Sequence, residues 1–371
     1  MGQGSELYEL FGHNAIWVHD PSTRTDIVYN WGVFDFNAPG FLPRFLRGDM
    51  RYTMDAQTIQ NTLAYYQYFN RRIWGQELDL TTAQKRGLVG FIRWNILPEN
   101  RQYRYNYYLD NCSTRVRDAI DRVLGGKLRT YLKGIPTDQT YRSHSLRMMQ
   151  SMPLINTGVE VALGRSNDRP LTADQASFLP GQLMMYLKDF KVDGRPLVSR
   201  EFLVSEAARG PEPTTAPAMW KGLVPIGLVI AAALLVLWFG FHARVATATL
   251  VAIVAGVMGI VGLLIFLLVT ATDHVAAHAN ENMWMLNPVW LVVAVALTRS
   301  LWKRTIGPVA RWSVLLGAAL GFCAVLMHAV GLSRQPNWDV IGLLLPAQLV
   351  MAAMVFRARP LTVPSSGPPE A

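Results

Sequence analysis

The chain has 371 residues, 51% hydrophobic and only 16% charged, and its 35 Lys and Arg exceed 26 Asp and Glu for a net charge of +9. A mean hydropathy of +0.17 excludes a disordered or purely cytosolic chain. Two cysteines, Cys112 and Cys323, are too few for a disulfide-stapled secreted domain.

The apolar excess is uneven. Up to about residue 210 the chain is polar, Arg-rich and aromatic; beyond Trp220 it is nearly all Leu, Val, Ala, Ile and Gly. The basic residues form no block with interleaved aromatics, so nucleic acid is not an expected partner.

In chain order, residues 14–19 and 26–34 read as two strands joined by the polar turn 20–25, a hairpin. Residues 55–70 look helical, and 81–96 carry a second helical pattern opened by Thr82. After Asn111 the apolar residues Val116, Ala119, Ile120, Val123 and Leu124 recur at helical spacing, and Gly125-Gly126 ends the run, so a helix begins at Cys112. Residues 178–192 and 200–203 are strand candidates. The run 211–217, rich in proline, is a stiff polar linker.

Five apolar runs follow: 222–242, 245–269, 283–301, 312–332 and 340–356. At 1.5 Å per residue each is long enough for a hydrocarbon core of about 30 Å. Arg244, Arg299, Lys303, Arg304, Arg311, Arg357 and Arg359 fall on one side, whereas the loop 270–287 on the other side has no Lys or Arg. The positive-inside rule makes the first side cytoplasmic, which puts the N-terminal half outside the cytoplasm. Met1 to Tyr8 is no signal peptide, so this topology calls for a leader or span upstream. The alternative is a cytoplasmic N-terminal half with loop charges that mislead. The expected division is a catalytic domain over 1–207, a linker over 208–220, a transmembrane helical domain over 221–358 and a cytoplasmic tail over 359–371.

Cys112 stands in the first turn of its helix, where unpaired N–H groups and the dipole favour an anion. Arg115 and Arg117 are expected to lower the thiol pKa further. Acyl chemistry by a thiolate needs a base, and the N-terminal half offers His13, His19 and His144. A hairpin centred on its turn sets His13 opposite Gly32, so Asn30 shares its face and is the favoured orienter of the imidazole; Asp35 is second choice. Buried packing is the alternative reading for Cys112. The run Tyr103, Tyr105, Tyr107 and Tyr108 packs by default, or lines an acyl groove. Arg93, Arg101, Arg104 and Arg115 are for the most part solvated surface by default, or hold a lipid phosphate. His274 and His278, four apart in the outer loop, read as a solvated interfacial pair rather than a metal site, and no metal or cofactor is expected.

Gly4-Ser-Glu-Leu-Tyr-Glu-Leu-Phe-Gly-His13, Tyr29-Asn-Trp-Gly-Val-Phe-Asp-Phe36 and Tyr105-Asn-Tyr-Tyr-Leu-Asp-Asn-Cys-Ser-Thr-Arg115 together resemble the Lnb-type lipoprotein N-acyltransferase family. The resemblance extends to His274, Asn280 and the Asn287-Pro288 loop. It implies an α+β fold, a circularly permuted NlpC/papain-like thiol-enzyme domain, followed by an all-α membrane domain of about five transmembrane helices. It also implies transfer of a fatty acyl chain from a phospholipid donor to the N-terminal cysteine amine of a bacterial lipoprotein acceptor. Cys112 would be the nucleophile and His13 its base, in a multi-pass protein of the bacterial inner membrane with its N-terminal domain in the periplasm. Asn30 remains a geometric choice; Arg115, Tyr108 and His274 are the candidate substrate-binding residues. Two rivals remain, a membrane-tethered cysteine peptidase or amidase acting on cell-wall peptide and a non-enzymatic membrane scaffold.

Overall fold

A computed structural model describes residues 1–303 and 305–357. The expected tail 359–371, with Arg359, and Arg304 lie outside the described residues. The chain forms two compact units, one of Met1–Val159 with Asn167–Pro217, the other of Glu160–Ser166 with the chain from Ala218 onward.

In the first unit, β1 (Ala15–Asp20) and β2 (Thr25–Val33) form the expected hairpin, and β3 (Arg51–Thr58) extends it. After β4 (Ile73–Leu78), the short β5 (Gln102–Arg104) closes an antiparallel sheet of order β1-β2-β3-β5. A small ladder joins β6 (Lys191–Val192) to β7 (Arg195–Pro196), and β8 (Val198–Ser205) pairs with β4. The helices Thr82–Asn95 and Cys112–Val123 pack with this sheet around Trp31, Met54, Ile92, Val116, Ala119 and Ile120. Within this core the Trp31 indole N–H donates to Asn95 Oδ1 at 2.8 Å.

Two expectations shift. Helix was expected over 55–70, but its first residues belong to β3, and the helix runs over Ile59–Tyr68 behind a Thr58 cap. The cause is tertiary: Tyr52 and Met54 alternate inward while the strand pairs with β2 on one side and β5 on the other. The helix expected over 81–96 does open at Thr82, behind Thr81, whose side chain and that of Gln84 form a capping box. Residues 180–189, expected within a strand, form the helix Pro180–Asp189. Pro180 suits the first helical position, and Leu183 and Leu187, one turn apart, are the buried pair. The 200–203 strand candidate falls inside β8.

Among the described residues the second unit has five helices long and apolar enough to cross a membrane: Trp220–Gly240, Arg244–Ala271, Glu281–Trp302, Pro308–Ala329 and Trp338–Arg357. Their interior is a separate cluster around Met258, Trp290, Val293, Val314 and Met351. Between apolar helices in lipid, association depends on close backbone approach. Gly227 provides it for the first and fifth spans, since an added Cβ would lie 2.4 Å from the Gly342 carbonyl. Gly262 does the same for the second and third, where a Cβ would meet the Asn287 nitrogen at 2.4 Å.

Candidate active site

Cys112 is the first residue of the Cys112–Val123 helix, where N–H groups lack intrahelical acceptors. Asn111 takes two of them: its Oδ1 accepts from Ser113 and Thr114 N–H, both at 2.9 Å. Its Nδ2 donates to the carbonyls of Tyr107 at 2.9 Å and Phe178 at 2.8 Å. Thr114 Oγ1 in turn accepts from Asn111 N–H at 2.8 Å. The backbone that carries the thiol is thus fixed by a reciprocal capping box anchored to two further segments.

His13 lies just ahead of β1. Ala15 pairs with Asn30, so residue 13 falls opposite Gly32 and shares a face with Asn30. His13 Nε2 meets Asn30 Oδ1 at 3.0 Å, and Asn30 Nδ2 donates to the Val28 carbonyl at 3.3 Å, which settles the amide orientation. An amide oxygen only accepts, so Nε2 carries the proton and Nδ1 keeps the lone pair. Asn30 is 6% exposed, which shields this bond from competing water. Asp35, the other candidate orienter, accepts instead from Asn37 N–H at 2.8 Å in the turn after β2.

The corner carrying His13 is tied to the cysteine helix through Asn14. Its Nδ2 donates to Ser113 Oγ at 3.0 Å, Ser113 Oγ donates to the Ser177 carbonyl at 2.6 Å, and the Asn14 backbone N–H favours the Cys112 thiolate. Sequence reasoning missed Asn14 and Ser113, because a bond spanning 99 residues leaves no periodic trace. Gly32 completes the cradle. Its φ is +85°, and a Cβ there would lie 3.3 Å from the Tyr105 ring and 3.7 Å from Cys112 Cβ, so only glycine fits without strain.

The electrostatics differ from expectation. Burial pushes the Cys112 thiol above its ordinary value, and backbone N–H groups of Asn14, Ser113 and Cys112 itself pull it only partly back. Arg115 and Arg117 do not depress it, because both are committed elsewhere. Arg115 pairs with Asp110 and stacks 4.0 Å over the Tyr103 ring; Arg117 pairs with Asp118 at 2.8 Å and Asp174 at 3.3 Å. Burial also lowers His13 to about 4, against the opposite pull of the Asn30 bond. At neutral pH the Cys112 thiol and the His13 imidazole are therefore both neutral.

The remaining candidates lie apart from this cluster. His19 bonds the exposed Asp26 at 2.9 Å. His144 is buried, accepts from Arg147 at 3.1 Å, and is lowered to about 4 by burial and then by Arg147. Tyr108, expected to touch substrate, gives its hydroxyl to a 2.7 Å bond with Ser145 and stacks 4.4 Å from Tyr141. Arg104 lies 3.7 Å from Asp49. His274 belongs to the second unit, at the start of the short turn Val275–Ala277. No three His, Cys, Asp or Glu side chains are grouped to hold a metal ion among the described residues.

An α+β domain with a cysteine at a helix start, a histidine held by an asparagine and a following set of five apolar spans define a multi-pass membrane protein with a globular thiol-bearing domain. The family model described as the Lnb N-terminal periplasmic domain matches residues 1–146, and that described as the Lnb transmembrane domain matches residues 215–345. The chain belongs to the Lnb-type family, membrane proteins of lipoprotein maturation, and its N-terminal domain is periplasmic. No curated protein and no solved structure matches it. With a periplasmic N-terminus and five spans among the described residues, the Gly240 end of the first span and the Trp302 end of the third face the cytoplasm, in accord with the nearby Arg244, Arg299 and Lys303.

Proposed function

We propose that the protein is a thiol acyltransferase that moves a fatty acyl chain from a phospholipid to the N-terminal cysteine amine of a lipoprotein through a thioester on Cys112. The observation that carries this reading is the 3.0 Å bond between His13 Nε2 and Asn30 Oδ1. It leaves Nδ1 as the one basic position of a ring that stands opposite Gly32, where an added Cβ would lie 3.7 Å from Cys112 Cβ. The order of histidine hairpin before cysteine helix is that of a circularly permuted NlpC/papain-like domain.

Because thiol and imidazole are both neutral at rest, proton transfer accompanies attack. As Cys112 Sγ bonds to the ester carbonyl carbon, its proton passes to His13 Nδ1. Negative charge then grows on the carbonyl oxygen. The Ser113 and Thr114 N–H groups already serve Asn111, so those of Cys112 and Asn14, which favour the thiolate at rest, turn to the oxyanion as the thiol is consumed. One such donor is worth ~3 kcal/mol of barrier. The C–O bond breaks, the His13 imidazolium protonates the lysolipid alkoxide, and the thioester remains. The lipoprotein amine next attacks the thioester carbon and gives a proton to His13, which returns it to the departing thiolate. The amide forms and the resting site is restored.

Mixing the detergent-purified protein with radiolabelled phospholipid and a diacylglyceryl-cysteine peptide tests this. Label is expected in the peptide amide with the wild type, and the rate is expected to fall on the order of 10³-fold in His13→Ala and to vanish in Cys112→Ala. Cleavage of a cell-wall peptide by Cys112 with no labelled amide would replace the reading with the peptidase one.

A further inference from the structure

From the thiol, aromatic rings run outward in an unbroken series. Tyr105, whose ring borders Gly32 beside Cys112, lies 4.4 Å from Tyr52; Tyr52 lies 4.8 Å from Phe34, and Phe34 lies 4.8 Å from Phe36. Phe36 is 5.3 Å from Phe41, the first residue of the helix Phe41–Arg47, which buries none of its residues. A series of stacked rings is ordinary core packing when its outer end is covered. This end is open, with Phe36, Leu42 and Leu46 at 60%, 63% and 59% exposure. Leu42 and Leu46 are one helical turn apart and so form one outward stripe. Clustered exposure of large apolar side chains marks a contact surface rather than scattered surface residues.

We propose that the Phe41–Arg47 helix dips into the periplasmic leaflet and that the lane from Phe36 to Tyr105 leads a phospholipid acyl chain to Cys112. The acyl-chain part rests on the acyltransferase reading above; the insertion of the helix does not. The occupant is a lipid leaflet for two reasons. Arg44 and Arg47, on the same short helix, have no ion pair among the described residues and complement lipid phosphates, the pattern of an interfacial helix. The five spans also tether this domain to a bilayer.

The test uses the full chain in vesicles of phosphatidylethanolamine and phosphatidylglycerol, in a Cys112→Ala, Cys323→Ala background. A nitroxide is placed at Leu46→Cys, with a reference at the exposed turn position Ser22→Cys. The Leu46 label is expected to collide with oxygen and be shielded from a water-soluble nickel chelate, with the Ser22 label the reverse. Equal access of the chelate to both overturns the proposal, as does shielding that scales with protein density rather than lipid, the mark of a second copy. In the otherwise native chain, Leu42→Glu with Leu46→Glu is expected to raise KM for vesicle phospholipid about tenfold. An unchanged KM overturns the lane. Should the wild type form no acyl adduct while the Leu46 label remains in lipid, the acyltransferase reading falls and the insertion stands.

Discussion

His13 and Asn30 face each other across the first hairpin with Nε2 and Oδ1 3.0 Å apart, and the proton between them can belong only to the imidazole. The asparagine therefore decides which ring nitrogen is basic. Asn30→Ala frees the ring to change tautomer and rotate, and is expected to slow acyl transfer on the order of 10²-fold. Asn30→Asp puts a carboxylate against the ring and raises the His13 pKa from about 4, so the acid limb of the kcat/KM profile moves to higher pH. An acid limb unmoved in Asn30→Asp contradicts the assignment.

The buried thiol gives a second test. With the Cys112 pKa above its ordinary value, alkylation by iodoacetamide is expected to be slow at neutral pH and to climb only in the alkaline range. Mass spectrometry of the Cys112 peptide across pH follows this. Rapid alkylation down to about pH 4 would reveal a preformed thiolate–imidazolium pair and refute the neutral resting site.

Two buried histidines tie stability to pH. His13 and His144 each stand near 4 in the folded chain against the ordinary 6.5 of an unfolded one. Between those values the unfolded state binds more protons, so each contribution is complete above pH 6.5 and is lost progressively as pH falls toward 4. Thermal unfolding of the detergent-solubilised protein is expected to show a falling midpoint over that window, less so in His144→Gln. A flat profile would show that the histidines are not held neutral.

Much of this site can be read from residue order, and the limits are physical. The two-residue alternation of a strand places residue 13 opposite 32 and beside 30, as the register Ala15↔Asn30 has it, and the helical spacing after Asn111 locates the cysteine helix. Both signals are local. The roles of Arg115 and Arg117 were misread because the decisive partner of Arg117, Asp174, lies far along the chain, and proximity in sequence suggested the thiol instead. Residues 55–58, the end of β3, carry a helical pattern for a related reason: their pairing partner, β2, comes from a distant segment, and local pattern does not record it.

Gly32 offers a packing test. At φ +85° an L side chain costs ~1–2 kcal/mol, and the new Cβ would press on Tyr105 at 3.3 Å. Gly32→Ala is expected to lower the unfolding midpoint and to slow Cys112 acylation more than the lost stability explains. Gly126→Ala, also at positive φ (+82°) but with nothing within 4 Å of an added Cβ, serves as the control for strain alone. Equal activity in the two variants would remove Gly32 from the cradle.

The central claim is tested most directly by the intact mass of the protein after brief exposure to phospholipid with no acceptor present. A gain of one fatty acyl group is predicted, mapped to Cys112, released by neutral hydroxylamine and transferred to an added diacylglyceryl-cysteine peptide. Undiminished N-acylation of that peptide by Cys112→Ala would contradict it.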